Sequence, residues 1–119
     1  MTAKFGDIGA LIEVVLVKGA DFGPIGIRFP DGFDLSGCVV TGGVKKMAAD
    51  PGYLKPYLID TSQQADRLIS FRLPGADTAT LTTGQHVNDV AGLHHTTIDL
   101  TDAAGRKRRL FYGPVRVAP

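Results

Sequence analysis

The feature that most limits what this chain can fold into is the close spacing of its turn-forming residues. Fifteen glycines and seven prolines are spread over the 119 residues. The apolar runs between them are short and rich in Val, Ile, Thr and Phe, and none shows the period of a long helix. Short alternating segments bounded by Gly and Pro are typical of β-strands. The sequence therefore predicts an all-β domain.

The turn signals divide the chain into about seven predicted strands. These strands cover residues 10–17, 22–29, 37–46, 53–60, 67–73, 94–100 and 108–117. The clearest alternation is in the fifth strand, where Ile69, Phe71 and Leu73 share one face. After this strand, residues 76–81 predict one helical turn with Asp77 as its cap.

Two antiparallel sheets packed face to face are the simplest way to bury seven half-apolar strands. We therefore predict an immunoglobulin-like antiparallel β-sandwich as a single domain over residues 1–119, with residues 1–9 as an extended arm. A small closed barrel is the alternative. A lone cysteine, Cys38, cannot form the inter-sheet disulfide of antibody domains, so the likeness is one of architecture. In the last strand, Gly113 and Pro114 are expected to mark a bulge or bend.

Residues 10–17 form the most apolar run of the sequence. Six of these eight residues are Leu, Ile or Val, too many for simple alternation between a core face and a solvent face. We therefore predict that this strand is covered on both faces or paired with a neighbouring chain. The predicted interface residues are Leu11, Glu13, Val15 and Val17. Glu13 has no obvious second carboxylate, so the carboxylate pair of a glycosidase is not indicated.

A cluster of basic residues, Arg106, Lys107, Arg108 and Arg109, lies near the C-terminus. In a hairpin, alternation sends Arg106 and Arg108 to one side and the other two to the opposite side. The cluster is either a solvated hairpin tip or a contact with phosphates or with acidic residues of a neighbouring subunit. A net charge of only +1 disfavours nucleic acid as the partner. Arg106, Lys107 and Arg108 are therefore added to the predicted interface.

The three histidines are candidates for a metal site. His86, His94 and His95 could bind an ion together with Asp89 or Asp99. Neighbouring strand residues point to opposite faces, so His94 and His95 cannot both reach one ion within a chain. One histidine from each chain of a symmetric trimer would still form such a site. The alternative is that these are surface or loop histidines without a metal.

Several other classes of function are not indicated by the residues. Cys38 lies beside Val39 and Val40 and is expected to be a small core side chain rather than a nucleophile. The glycines form neither a P-loop nor a dinucleotide-binding fingerprint, so no cofactor and no enzymatic activity are expected. No apolar run approaches the roughly 18 residues of a membrane-spanning helix. The first residues do not resemble a secretory signal.

Three short motifs dominate the C-terminal half. They are LPGADTATL at residues 73–81 followed by Gly84, IDLTDAAGR at 98–106 and LFYGPVRVAP at 110–119. Less sharp matches are KGADF at 18–22 and DLSGC at 34–38. Together these motifs resemble a pattern in small structural proteins of tailed bacteriophages. Residues 85–93 depart from that pattern, because the family usually passes quickly from the glycine into the next strand.

This resemblance implies a building block of the virion, made in the host cytoplasm and present in several copies. It implies an immunoglobulin-like module of a tail, baseplate, fibre-attachment or neck structure. Its expected partners are copies of itself and other virion structural proteins, with no membrane, nucleic acid or small-molecule substrate. The alternative function is a ligand- or carbohydrate-binding β-sandwich. Sugar sites usually need exposed aromatic platforms, whereas the phenylalanines here fall mostly on predicted core faces.

Overall fold

Nine β-strands and one α-helical turn form in the computed structural model, which describes residues 10–83 and 92–119. The strands are β1 (Ala10–Leu11), β2 (Val14–Val17), β3 (Phe22–Arg28), β4 (Val39–Lys45), β5 (Lys55–Pro56), β6 (Leu58–Asp60), β7 (Leu68–Leu73), β8 (Leu93–Thr101) and β9 (Lys107–Ala118). The helical turn α1 is Gly75–Thr78, and a short 3-10 turn spans Gln64–Asp66. The predicted arm at 1–9 and most of the long connection, residues 84–91, lie outside the described residues.

The strands are arranged in two sheets, which confirms the predicted all-β sandwich. The larger sheet has the order β1 and β2, β9, β8, β4, β5, and the smaller sheet has the order β3, β7, β6. All pairings are antiparallel except those of β1 and β2, which run parallel to β9. Among the described strands both sheets end in open edges, which a closed barrel does not have. Nine strands replace seven because two predicted runs, 10–17 and 53–60, are each split in two.

The core lies between the two sheets and is built from alternate residues of the strands. The larger sheet contributes Val14, Leu16, Val40, Val44, Ile98, Leu100, Val115 and Val117, and the smaller sheet contributes Ile27, Ile69, Phe71 and Leu73. The predicted inward face of the 67–73 strand is therefore confirmed. Because strand side chains alternate, the residues between these positions form the outer faces of the sandwich.

The predicted strand at 53–60 is wrong as one element, because the chain changes sheets within it. β5 pairs with β4 of the larger sheet, and β6 pairs with β7 of the smaller sheet. Tyr57 lies between them, 5% exposed, and its amide donates to the Gly42 carbonyl oxygen at 2.9 Å. Its hydroxyl lies 2.7 Å from Thr96 Oγ1, which donates to the Gly43 carbonyl oxygen. The buried tyrosine therefore marks the crossing from one sheet to the other.

The sequence predicted that Asp77 caps α1, and this is wrong. The start of α1 is capped by a residue from a distant segment of the chain. Asp77 lies inside the helical turn, and no side chain of α1 itself makes a capping bond. Instead, the Gly75 amide donates to Asp21 Oδ1 at 2.6 Å. Thr78 adds a second hydrogen bond between these two segments, since its hydroxyl oxygen accepts a hydrogen bond from the Gly19 amide at 3.1 Å. The turn after β7 is thereby fastened to the connection between β2 and β3.

The bulge predicted at Gly113 lies elsewhere on β9. The register of β8 and β9 shifts between Ile98 and Asp99, which makes Leu110 the extra residue of the bulge. Gly113 instead lies where the backbone of Ile12 comes closest to β9. A Cβ atom on Gly113 would overlap the Ile12 carbonyl oxygen. Glycine is needed there because another part of the chain passes too close for any side chain.

Candidate interaction surface

β1 and β2 form one open edge of the larger sheet. The amides of Ile12 and Lys18 donate to carbonyl oxygens of β9, both at 2.9 Å. By strand alternation, Glu13, Val15 and Val17 direct their N–H and C=O groups away from β9. Within the described part of the chain, β2 pairs with no strand other than β9. The Val17 carbonyl oxygen already accepts the Ala20 amide at 3.0 Å, so the outward groups of Glu13 and Val15 are the ones positioned to receive a partner strand.

The side chains along this edge alternate between the core and the surface. Val14 and Leu16 are 5% and 1% exposed, whereas Leu11 is 69% exposed and Val15 and Val17 are each 51% exposed. The high apolar content of the segment has two origins, because one face belongs to the core and the other is an exposed apolar row. The structure thus brings the three apolar residues of the predicted interface together on one edge.

Exposed apolar residues also lie further along the side of the larger sheet that faces away from the core, here called the outer face. Val15 is level with Arg116 of β9, and Arg116 is level with Leu93 of β8. Leu93, Met47 and Pro114 then line an open cavity of about 610 Å³. Met47 is 65% exposed. Arg116 separates the apolar edge from this cavity, and exposed apolar patches of both kinds are typical of protein–protein contact sites.

The fourth predicted residue of this edge, Glu13, is charged and only loosely held. Its carboxylate oxygen lies 3.5 Å from Arg116 Nε, and the glutamate side chain is 61% exposed. An exposed pair of this kind contributes about 0–1 kcal/mol. Glu13 can therefore exchange Arg116 for a cation on a partner at little cost.

The basic cluster lies far from this edge. Lys107 is the first residue of β9, whereas β2 pairs with the last residues of the same strand, Val115 to Ala118. The structure therefore does not bring the two sets of predicted interface residues together. The β1–β2 edge and the basic cluster are therefore two separate surfaces, and one partner chain can contact either of them.

The basic cluster is paired with acidic residues of its own hairpin. Lys107 Nζ and Arg109 Nε lie 3.7 and 2.9 Å from the buried carboxylate of Asp99. Arg106 Nε lies 3.0 Å from Asp102, and its backbone amide also holds the pKa of that carboxyl below its ordinary value. Lys107 and Arg109 thus share one side of the hairpin, as the alternation predicted. The proposed contacts of this cluster with another subunit remain a prediction.

Arg106 and Arg108 line a cleft of about 390 Å³ together with Asp34, Asp102 and Cys38. Cys38 is half-buried and packs against the core. Its thiol donates to the Asp34 carbonyl oxygen at 3.8 Å. Burial, and then the nearby charges of Asp102 and Asp34, raise the pKa of the Cys38 thiol. A raised pKa keeps the thiol protonated, which is the opposite of what a nucleophile requires.

We expect Cys38 to react slowly with an aromatic disulfide reagent at neutral pH. The reaction in the folded protein should be several-fold slower than in the urea-unfolded chain, because only the thiolate attacks. Because the pKa of the Cys38 thiol is raised, the folded-state rate should keep rising with pH beyond the ordinary thiol pKa of 9.0, where the rate of the unfolded chain levels off. Stopped-flow absorbance of the released thiolate measures both. A folded-state rate equal to or above the unfolded rate at neutral pH would instead indicate an activated cysteine.

Two of the three histidines lie in the described residues, and they are separated as predicted. His94 is 3% exposed, and His95 Nδ1 lies 3.0 Å from the Gly113 carbonyl oxygen on the neighbouring strand. Successive positions in β8 place them on opposite faces of the sheet. In residues 10–83 and 92–119, no three His, Cys, Asp or Glu side chains gather as a metal site. His86 and Asp89 lie outside those ranges.

The cavity on the outer face was missed by the sequence analysis. Leu93 could have been found, because it extends the predicted 94–100 strand by one outward position. Met47 lies in the turn after β4, and its position beside β8 follows from the pairing of Lys45 with His95. That pairing joins segments far apart in the sequence, so no local pattern indicates it.

No family model matches the chain, and no curated protein matches it. Over the residues that the structure describes, no helix has the length and apolar character needed to cross a membrane. The exposed residues of the sandwich are therefore the main guide to its function.

Proposed function

We propose that this chain is a non-enzymatic structural protein of a tailed-bacteriophage particle. It is an oligomeric adaptor in the tail, baseplate, fibre-attachment or neck region, and it acts through contacts between subunits in the virion. The observation that carries the proposal is the open β1–β2 edge, where Leu11, Val15 and Val17 are half-exposed or more and where, among the described strands, β2 pairs only with β9.

This edge offers a partner two kinds of attraction at once. Covering apolar surface stabilises a contact by about 25 cal/mol per Å². A strand laid against β2 would also bond to the outward N–H and C=O groups of Val15. An exposed apolar edge strand left without a partner is an aggregation hazard, which proteins usually avoid. Such an edge is therefore more typical of an assembly subunit than of a solitary domain.

Two of the three motifs that resemble phage structural proteins, residues 73–81 and 110–119, contact this edge or the turn that follows it, whereas residues 98–106 end in the distant hairpin. Residues 73–81 lead from β7 through α1, and residues 98–106 form the end of β8 and the following turn. Residues 110–119 belong largely to β9, the strand that holds β1 and β2 in parallel. One of the resembling motifs therefore includes the strand on which the apolar edge is built.

The alternative, a carbohydrate-binding module, gains no support from the described residues. Phe29, Tyr57 and Phe71 are core residues. The other aromatic side chains in residues 10–83 and 92–119 are each at least partly buried. A sugar-binding platform needs an aromatic face open to solvent.

The proposal is tested on purified particles from lysates of the producing host. We expect mass spectrometry to find the chain in these particles at a fixed ratio to other virion proteins. Val15→Lys should lower that ratio by about tenfold or more, because it places an unpaired charge in an apolar contact.

The matched control is Val39→Lys, since Val39 is 58% exposed and lies on β4, away from the β2 edge. This variant should be incorporated as well as the natural chain. Particles that lack the chain altogether, or that lose both lysine variants to the same extent, would contradict the proposal.

A further inference from the structure

We infer that the Asp31–Gly32 linkage is a site of spontaneous modification, at which Asp31 converts to isoaspartate through a cyclic imide. Asp31 is the only aspartate of the chain that is followed by glycine. The site lies in the turn after β3, a strand of the smaller sheet. The inference goes beyond the proposed function, because it concerns the chemistry of one turn and needs no partner chain.

The two groups that react are open to solvent. The Asp31 side chain is 95% exposed, and Gly32 is exposed as well. Within residues 10–83 and 92–119, no carbonyl oxygen or side chain accepts a hydrogen bond from the Gly32 amide. The amide is therefore not held by a bond that the reaction would have to break.

Glycine at position 32 lets the peptide unit rotate until its nitrogen reaches the Asp31 side chain. Gly32 has a φ of +83°, in a turn closed by the bond from the Phe33 amide to the Pro30 carbonyl oxygen at 3.1 Å. A Cβ atom on Gly32 would meet nothing within 4 Å, so no neighbouring group lies against its α-carbon. Glycine populates positive and negative φ about equally. The turn can therefore rearrange locally.

Other aspartates in loops are bonded in a way that opposes the reaction. The carboxylates of Asp34, Asp60 and Asp102 each accept the backbone amide two residues further on, at 2.9, 2.8 and 3.0 Å. Each carboxylate is thus held at a different amide from the one that would attack it. For Asp34 and Asp60, this backbone bond also holds the pKa of the carboxyl below its ordinary value. An ionised carboxylate resists attack, because its oxygen must leave as water.

Asp31 is restrained by a single side chain instead. Arg67 Nη2 lies 2.6 Å from Asp31 Oδ1, and nothing else in the described part of the chain bonds to this carboxylate. An exposed ion pair of this kind is a weak restraint. Isoaspartate lengthens the backbone by one carbon and places the carboxylate directly on the α-carbon. We therefore expect the modification to break the contact with Arg67 and to release the turn from the start of β7.

The reaction uses no reactant other than water. The Gly32 nitrogen forms a bond to Cγ of Asp31, and the amide proton leaves with the carboxyl hydroxyl as one molecule of water. The product is a five-membered imide, in which the nitrogen is bonded to both carbonyl carbons of Asp31. Water then opens the ring. Attack at Cγ restores aspartate, whereas attack at the main-chain carbonyl carbon leaves the chain linked through Cγ, which is isoaspartate.

Storage of the natural chain at neutral pH and body temperature tests the inference directly. After several weeks, peptide mapping by mass spectrometry with electron-transfer fragmentation locates isoaspartate by its diagnostic fragment ions. Isoaspartate should accumulate at residue 31 several-fold faster than at Asp34 or Asp102, which are controls within the same chain. Asp31→Glu should remove the signal at this position, since glutamate would need a less favourable six-membered ring. An Asp31 that stays unmodified, or that reacts no faster than Asp34 and Asp102, overturns the inference.

High salt tests the part assigned to Arg67 without a variant. At 1 M salt the Debye length is about 3 Å, so the ion pair is screened and isoaspartate should form at residue 31 faster than in dilute buffer. Arg67→Asn should have the same effect, because asparagine tolerates the left-handed φ of 59° at this position. Circular dichroism before storage checks that the variant is folded. A rate that stays unchanged both in high salt and in the variant would show that Arg67 does not restrain Asp31, and that part of the inference would be wrong.

Discussion

Replacement of Gly113 by alanine is expected to lower the free energy of unfolding by about 3 kcal/mol. A Cβ atom there would overlap the Ile12 carbonyl oxygen and lie 2.8 Å from the Ile12 carbonyl carbon. Both are backbone atoms held by the parallel pairing with β9, so they cannot rotate away as the end of a side chain can. The segment that joins β1 to β2 would have to move off β9. Urea unfolding followed by far-ultraviolet circular dichroism measures the loss, and the melting temperature should fall by roughly 10 °C.

The matched control is Gly52→Ala. A Cβ atom on Gly52 would meet nothing within 4 Å, so the free energy of unfolding should change by less than about 0.5 kcal/mol. If Gly113→Ala were as stable as Gly52→Ala, Ile12 would not be seated against β9. The open edge formed by Glu13, Val15 and Val17 would then lose its structural basis.

Gly113 also shows why some local predictions from the sequence were wrong. A glycine followed by a proline near the end of a strand is a reasonable signal for a bend. Here the reason for the glycine is Ile12, at the other end of the chain. Similarly, Asp77 was predicted to cap α1, but the bond to the Gly75 amide comes from Asp21. In both cases the deciding contact joins distant segments, which no pattern of neighbouring residues can reveal.

What could be predicted depended on patterns within one strand. The alternation of Ile69, Phe71 and Leu73 is complete within β7, so its buried face followed directly from the sequence. The run at 53–60 carried no such alternation, and its division between two sheets depends on where Tyr57 finds space in the core. Strand positions were therefore predicted well, whereas the sheet to which each strand belongs was not.

The same distinction applies to the candidate interface. The exposed apolar side chains of Leu11, Val15 and Val17 were predicted because an excess of apolar residues is a local signal. The cavity near this edge was not predicted, since it forms only where β4 and β8 lie side by side and Met47 lines the opening. The basic cluster was added to the predicted interface as a contact with acidic residues of a neighbouring subunit, and the length of β9 separates it from β2.

Stability is expected to fall between pH 10 and pH 12 because of Tyr57. Burial raises the pKa of the Tyr57 hydroxyl from 10.0 to about 12. Below pH 10 the tyrosine is neutral in both the folded and the unfolded chain, so its contribution is fully present. Between the two values the unfolded chain loses the proton and the folded chain keeps it, which favours unfolding. The loss attributable to this one group approaches about 3 kcal/mol at the upper end.

Comparison of the natural chain with Tyr57→Phe isolates this effect from the titration of other groups. At neutral pH the variant should be less stable by about 1 kcal/mol, because it loses the bond to Thr96 Oγ1. Thr96 already donates to the Gly43 carbonyl oxygen, so Tyr57 is the donor in the lost bond. As the pH rises above 10, the difference should shrink and then reverse, since phenylalanine has no proton to lose.

Tyr112→Phe is the matched control and should keep the alkaline loss of stability, because Tyr57 is still present. If Tyr57→Phe lost as much stability as the natural chain over this range, Tyr57 would have to be open to solvent rather than enclosed between the sheets.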